Sequence, residues 1–529
     1  MATRLSQRAA ALAFTLLTMS SSMVLAADLR IGFNAEVSSA DPHVHQLQNR
    51  NVWMHVYEPL VKQDAQLRSV PGLARGWRAA DPRTWVFTLR PNVTFHDGSP
   101  FEAEDVKASI DRARNLQGLR TLKGYLRDIE SVTVLDPMTV QVRTTVPSPA
   151  TPDNLSLVPI IPRKFATATE ESFSQGRSAV GTGPYRFQEY ARGQKVVLLR
   201  NDKYWGPKEP WEHVIFEFLL KESARASALL SGTVDVINGA PAGIVEALQR
   251  NDKMAHADTV SYMLNYLCLD QRPTTAFVTD AAGKPFASNP LKNFKVRQAL
   301  SVAVNRDLIA RRVMKGDSVP AAQLVPVGFF GYDPSIAVTA GDPAKAKVLL
   351  AEAGFPQGFN LTLHCPNDRY LNDTKVCEAI GQMFTQAGIK TDVQTMPFAV
   401  LQPWLLSAPK GKPEISVAMI GFGALFGDSF QALMALSHGF DPKTGAGVNN
   451  YGRSSMPAID ELIARANQTI ASSEREDLQR KAARLVAEDL SVIPIQHIKA
   501  SYAYRKSLSV STRSDGFIYA MDVRDASAK

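Results

Sequence analysis

The chain has 529 residues, with 59 Lys plus Arg against 51 Asp plus Glu and 45% apolar residues. A single core stops growing near ~250–300 residues, so two large units or more are expected. Ordinary apolar, glycine and proline content excludes a disordered, collagen-like or low-complexity chain, and no apolar run of ~18 residues follows the first ~30 positions, which excludes a polytopic membrane protein.

Arg4 and Arg8 precede the apolar run Ala9–Met19, the serines at 20–22 break it, and Val24-Leu25-Ala26-Ala27 offers small residues for cleavage. This predicts a secretory signal over 1–26, cut after Ala26. No cysteine stands at the cleavage point, so no lipid anchor is expected there, and the mature chain is expected in the periplasm. Removing 1–26 deletes two arginines and no acid, leaving a modest positive balance. Basic residues are spread without interleaved aromatics, so no nucleic-acid partner is expected.

Asp28–Phe33 reads as a short strand, and Trp53–Val61 has helical spacing. Trp85, Phe87 and Leu89 alternate as a half-buried strand, with Val93–Phe95 continuing the sheet. Ala103, Val106, Ile110 and Ala113 share a helical face; Val132–Leu135 and Thr139–Arg143 read as a hairpin around Asp136-Pro137. Strands follow at Val196–Arg200, Val214–Leu220 and Val234–Ile237, with a helix at Ser223–Leu230 ending at Gly232. Val260–Leu269 is apolar and extended.

Beyond Pro273 helices lengthen and alternate with strands, the pattern of an α/β unit. Asp342-Pro343 starts a helix that Gly354 closes. Leu361 and Leu363 begin a strand. Val376, Ile380, Met383, Phe384 and Ala387 form a helical stripe, followed by the strand Ile389–Gln394. Ile415–Ile420 is a buried strand. Ser473 with Glu476 predicts a capping box for a helix through Leu490, and Ile493–Ile498 is the last long apolar strand.

Three cysteines are present: Cys268, Cys365 and Cys377. A bridge between Cys365 and Cys377 and a pair of buried free thiols are both open readings. No spacing fits a structural zinc site. The loop Gly181–Tyr185 is no phosphate cradle, since Pro184 lacks an N–H and no Lys-Ser/Thr follows. HExxH and GxSxG are absent. Gly427-Asp428-Ser429 has the form of an esterase triplet without supporting histidines, and His43 and His45 lack a third ligand and read as surface loop residues. No cofactor, no metal and no catalytic group is therefore expected, which favours capture of a ligand over its conversion.

Several segments carry a resemblance that runs in order through nearly the whole mature chain. Asp41-Pro42-His43, Tyr57-Glu58-Pro59-Leu60-Val61, Trp85–Arg90, Phe95-His96-Asp97-Gly98, Ala103-Glu104-Asp105-Val106, Gly181-Thr182-Gly183-Pro184-Tyr185, Arg200–Trp205, Val296–Leu300 with Asn305-Arg306, and Asp342–Gly354 resemble motifs of the extracytoplasmic solute-binding proteins of family 5. These are the peptide- and nickel-type binding subunits of ATP-driven importers. Most of the motifs have structural jobs; the glycines of GTGPY suit a tight turn.

The resemblance implies an α/β, class II periplasmic-binding-protein fold (cluster C), with two lobes, an added α+β subdomain and a two-segment hinge. The expected units are lobe I at 27–50, 181–268 and 500–529, the added subdomain at 51–180, and lobe II at 269–499, with crossings near Cys268–Arg272 and Gln496–Ser501. It implies an unreactive, monomeric subunit that closes on a peptide or peptide-like solute and delivers it to an inner-membrane ABC permease. The alternatives are an exported peptide or ester hydrolase centred on Asp428-Ser429, and a sensory or chaperone-like binder of the same fold.

Peptide binders of the family hold the ligand backbone as an added strand. By this resemblance Gln46, Leu47 and Gln48 form the first-lobe strip and Gly421, Phe422 and Gly423 the second-lobe strip, glycine admitting a close backbone. Arg369 is placed on the ligand carboxylate, with Tyr370 adding a hydroxyl and Phe398 standing where the family has a tryptophan. The family's aspartate for the ligand α-ammonium is replaced by Leu425, with Asp428 three residues on. An unpaired buried ammonium is costly, so the expected ligand lacks a free α-amine or is held differently: a modified peptide, a glycosylated opine or another amide-bearing molecule. No histidine falls in the second-lobe strip, which argues against nickel.

Overall fold

A computed structural model describes residues 28–527 apart from 119, 241–243, 246, 247, 249 and 407–414. The expected signal segment 1–26 lies outside the described residues. One mixed sheet of twelve strands runs through the molecule. Its centre is a pair of long antiparallel strands, Met254–Leu269 and Val492–Arg505. Where Met254–Val260 pairs with Lys499–Arg505, the sheet continues through Val236–Asn238, Asp28–Phe33, His213–Phe218, Lys195–Arg200 and Tyr185–Ala191; this is the first lobe. Where Leu264–Cys268 pairs with Val492–His497, it continues through Val417–Gly423, Asn360–Pro366 and Lys390–Met396; this is the second lobe.

The register of the long pair slips between Val260 and Leu264. Such an irregularity adds twist and bends a strand. It is stitched by the Ser261 hydroxyl, which donates to the Ile498 carbonyl at 2.6 Å and accepts the Met263 N–H at 3.1 Å. The slip precedes the Cys268–Arg272 segment expected for this crossing; Gln496–Ser501 lies opposite it.

Strand alternation separates the second-lobe cores. Leu267, Leu269, Val417, Met419, Ile493 and Ile495 point into one core with the helices Phe294–Ala303, Pro343–Glu352 and Asp373–Gln386. Their neighbours Leu264, Tyr266, Cys268, Ala418, Ile420 and Val492 point into the other. The period of two along each strand produces this division. A separate four-stranded antiparallel sheet, ordered Ala74–Asp81, Thr84–Leu89, Thr139–Thr144, Ile129–Asp136, packs on the helix Ala103–Asn115 with its own core.

Several local expectations change. The helix near Trp53 is Leu47–Trp53, and Val61 opens a short strand, because Pro59 disfavours helical backbone at Glu58. Val93–Phe95 joins no sheet; Asn92 turns left-handed at φ 60°, and Thr94 makes only an isolated bridge with Pro100. The last long helix starts at Ser472 behind Ala471 with no side-chain cap, whereas a capping box closes at Glu102 and Asp105. Gly181 and Gly183 have no left-handed φ. They are glycines because a Cβ would lie 2.0 Å from the Val56 carbonyl oxygen and 2.4 Å from that of His55. His43, expected at the surface, is fully buried: its Nε2 lies 2.8 Å from the Pro159 oxygen, beside the Asp41–Arg112 ion pair of 2.6 Å. Burial lowers its pKa to about 4.

Three of the motif segments meet at one buried acid. Glu58 accepts hydrogen bonds at 2.8 Å from the Tyr204 hydroxyl, the Trp205 indole N–H and the Thr182 hydroxyl, and pairs with Lys62. These motifs thus serve packing, and Glu58, Thr182, Tyr204 and Trp205 line neither of the cavities described below.

Candidate functional site

The cleft between the lobes is floored by the end of Val417–Gly423. One edge of this strand is paired, Asn265 facing Gly421, Leu264 facing Phe422 and Met263 facing Gly423. On the other edge Asn360–Pro366 pairs only with Val417 and Ala418, so Met419–Gly423 has no neighbouring strand there among the described residues. Unpaired main-chain groups at such an edge are a template for an added strand. The glycines have a different cause from the expected ligand approach. A Cβ on Gly421 would come 2.6 Å from the Tyr370 ring and one on Gly423 2.4 Å from the Tyr262 ring. The protein's own tyrosines lie against the strip, and the Tyr370 hydroxyl donates to the Gly421 carbonyl at 3.4 Å.

Tyr370 and Arg369 stand in the loop between Asn360–Pro366 and the helix Asp373–Gln386. A disulfide between Cys365 and Cys377 joins the strand end to that helix across the loop. Asp373 Oδ2 accepts the backbone N–H groups of Arg369 and Tyr370 at 3.0 and 3.1 Å. Asp368 Oδ1 accepts the Phe398 N–H at 2.8 Å. Both neighbouring acids therefore bind backbone, and the Arg369 guanidinium lies 5.1 Å from the centre of the Phe398 ring. An aromatic face steadies a cation without neutralising it. Arg369 and Tyr370 line a cavity of about 800 Å³ with Asn34, Asn238, Tyr262 and Phe517 of the opposing wall and hinge. Phe398 does not line it and backs Arg369 instead.

Only the first residue of the first-lobe strip is extended, Gln46 at φ −144° and ψ 142°. Gln46 precedes, and Leu47 and Gln48 begin, the helix Leu47–Trp53. The Gln46 side chain turns to the Ser38 hydroxyl and lines neither the cavity at Arg369 nor the one at Asp428. Leu47 lines both of them and Gln48 only the larger.

The other cavity, about 560 Å³, lies between the added subdomain and the second lobe, with Phe422, Gly423, Leu425 and Asp428 on its wall. Leu425 packs partly against the subdomain core, and Phe426 is buried within it. The Leu425 carbonyl accepts from Gln63 Nε2 at 2.9 Å, so this position ties the two walls together. Asp428 Oδ1 accepts the Phe430 N–H at 2.6 Å, and burial raises its carboxyl pKa to about 7. The Ser429 hydroxyl is buried and donates to Gln479 Oε1 at 2.7 Å, so it has no imidazole base. Sequence reading did not single out Tyr262, Asp153, Arg475 or Gln479. Their shared position depends on contacts between distant segments, and no local motif announces it.

A ribbon-linked, two-lobed protein with a cleft bordered by an open strand edge is a ligand-capture protein of the class II periplasmic-binding type. Residues 68–442 match the family described as bacterial extracellular solute-binding proteins, family 5, and the chain belongs to that family. It is 28% identical over 463 residues to a glutathione-binding protein, GsiB, of Pectobacterium atrosepticum, covering 86% of each chain. Its fold is similar to that of HbpA2 from Haemophilus parasuis (TM-score 0.80, 24% identity, 94% of this chain and 99% of that one). It is also similar to DppA from Helicobacter pylori in complex with the peptide STSA (TM-score 0.71, 22% identity, 94% and 98%). No helix among the described residues is long and apolar enough to cross a membrane.

Proposed function

We propose that this protein captures a short, peptide-like solute carrying a carboxylate and presents it to an ABC permease as a periplasmic monomer. The observation that carries the reading is the Arg369 guanidinium on the cleft wall, backed by Phe398 while both adjacent acids are occupied by backbone N–H groups. A guanidinium offers a carboxylate two parallel hydrogen bonds. The open edge at Met419–Gly423 supplies main-chain partners that do not discriminate among side chains. The glutathione-binding relative makes glutathione the first probe. Closure follows from ligand contacts to both walls, since only a difference in affinity between open and closed forms shifts that equilibrium.

Calorimetry with glutathione and a set of di- to tetrapeptides tests this. Stoichiometric binding with the ligand recovered intact is expected. Recovery of cleaved ligand would replace this reading with the hydrolase centred on Asp428-Ser429.

A further inference from the structure

The larger cavity carries a cation on its first-lobe wall as well as Arg369 on the second-lobe side. Arg225 lies in the helix Glu222–Ser231 and lines that cavity, yet it is only 4% exposed. Its Nη1 donates to the Leu219 and Leu220 carbonyls at 2.8 and 3.0 Å, and its Nη2 to the Gly239 carbonyl at 3.1 Å. Its Nε has no hydrogen-bond partner among the described residues. Glu222, one turn earlier, is exposed and forms no ion pair with it among the described residues. The other acids bordering the cavity are engaged elsewhere. Asp515 pairs with Arg513 at 2.8 Å, Asp317 faces Asp258 and Lys499, and Asp368 and Asp373 bind backbone. The Arg225 guanidinium is thus buried against neutral carbonyls alone, and burial lowers its pKa. A buried cation without a counter-charge is costly. Tying the helix start to the chain at Gly239 accounts for the three carbonyl contacts but leaves that charge unanswered.

A second observation is independent of the charge. Gly239 turns left-handed at φ 61°, and the place its Cβ would take lies 3.0 Å from Asn34 Nδ2 and 3.6 Å from Arg225 Nη2. All three residues line the cavity. Asn34 and Asn238 hold each other: Asn238 Oδ1 accepts the Asn34 backbone N–H, and Asn238 Nδ2 donates to Asn34 Oδ1, both at 3.0 Å. This exchange uses the acceptor of the Asn34 amide and leaves its Nδ2 toward the space at Gly239. Two donors, one neutral and one cationic, therefore converge on a point that glycine leaves open. An oxygen seated beside that point reaches both.

We propose that Asn34, Arg225 and Gly239 form a first-lobe subsite for a second carboxylate of the cargo, which bridges the cleft with its other carboxylate on Arg369. The guanidinium supplies the charge, the Asn34 amide a directed donor and the bare Gly239 backbone the room. The subsite rests on the reading of a peptide-like cargo and narrows it to molecules with two carboxylates, of which glutathione is one. It also gives closure a cause. A dianion with one cation on each wall makes both contacts only when the walls are together, which is the difference in affinity that closure requires.

The test is calorimetry of the intact protein with four probes: glutathione, its two monoamides (one at the glycine carboxylate, one at the γ-glutamyl α-carboxylate) and trialanine, which has a single carboxylate. Wild type is expected to bind glutathione about ten- to a hundredfold more tightly than either monoamide, the range of a charge-assisted hydrogen bond. Asn34→Asp keeps the acceptor for Asn238, turns the donor into an anion and answers the Arg225 charge from within. It is expected to weaken glutathione by a similar factor and to erase the preference over one monoamide only. Arg369→Ala is expected to erase the preference over the other. A monoamide that binds wild type as tightly as glutathione overturns the subsite and leaves the peptide-like cargo standing. Trialanine bound in preference to glutathione does the same, as does an Asn34→Asp protein with unchanged affinity for glutathione. Binding of none of the four probes overturns the cargo reading and the subsite with it. Equal weakening of every probe by Asn34→Asp at an unchanged thermal midpoint makes Asn34 part of the wall and overturns its role with the carboxylate.

Discussion

Arg369 illustrates how a residue's surroundings settle its chemistry. Asp368 and Asp373 are close in sequence and could each have neutralised it, yet each binds a backbone N–H. Arg369→Ala is therefore expected to weaken binding of a carboxylate-bearing ligand by about 2–5 kcal/mol while leaving an amidated analogue nearly unaffected, as calorimetry would show. Asp428 carries a pH dependence. Burial raises its carboxyl to about 7, above that of an unfolded carboxyl, so between about pH 4 and 7 the folded chain holds a proton that the unfolded chain does not. Its contribution to stability should thus rise as pH drops from 8 to 5, by up to about 1.4 kcal/mol per unit below the folded pKa, as urea titration at each pH would show. Asp428→Asn should flatten that profile, and the groups facing Asp428 in the profile are Asp153, Arg475 and Gln479. The resemblance marked Arg369 and Tyr370, because Arg369 aligns with the family's carboxylate-holding arginine and Tyr370 stands beside it. It left Asp153 and Gln479 unmarked because their meeting depends on distant segments.

At the scale of elements, regular periodicity was readable and chain reversals less so. The helices Ala103–Asn115, Pro343–Glu352 and Asp373–Gln386 follow from apolar spacing and end signals in the sequence. The errors fall where side-chain polarity mimicked a signal, as at Ser473 and Glu476, or where Pro59 overrode apolar spacing. The second-lobe strip was located from its buried run, but its glycines answer to Tyr370 and Tyr262, which no periodicity reveals. The Cys365–Cys377 link closes the loop that carries Arg369 and Tyr370. A cross-link over so short a loop contributes roughly 3 kcal/mol by limiting the unfolded chain. Cys377→Ser should lower stability by about 2–4 kcal/mol in urea titration, and it should weaken ligand binding as well, because the same link steadies the loop. Binding unchanged alongside lost stability would separate the link from the site.

For the whole molecule, the α/β class was expected from the alternation of elements and from the order of motifs, and the long central strands were read only as the shorter apolar runs Val260–Leu269 and Ile493–Ile498. A continuous apolar strand such as Met254–Leu269 gives no sign of where its neighbours change. The register slip at Val260–Leu264, pinned by Ser261, is where bending is cheapest, since hydrogen bonds there are already irregular. Small-angle scattering should give a radius of gyration near ~23 Å for a chain of this size, falling on addition of a bound peptide-like solute. An unchanged profile with ligand bound would mean the lobes do not move.

The paired long strands also set an order of assembly during synthesis. The second lobe is built almost wholly from residues between 264 and 497 and can complete itself once that stretch has emerged. The first lobe cannot. Its strand Val236–Asn238 needs Tyr502–Tyr504, and its interior needs later hydrogen bonds still, from the Ile518 N–H to Asn51, from the Ala520 N–H to His55 and from the Trp211 indole to the Val523 carbonyl. The half of the protein made first is thus the half finished last, and a chain truncated after residue 498, which keeps Val492–His497 and lacks Tyr502–Tyr504, should remain protease-sensitive over its N-terminal half while its second lobe resists.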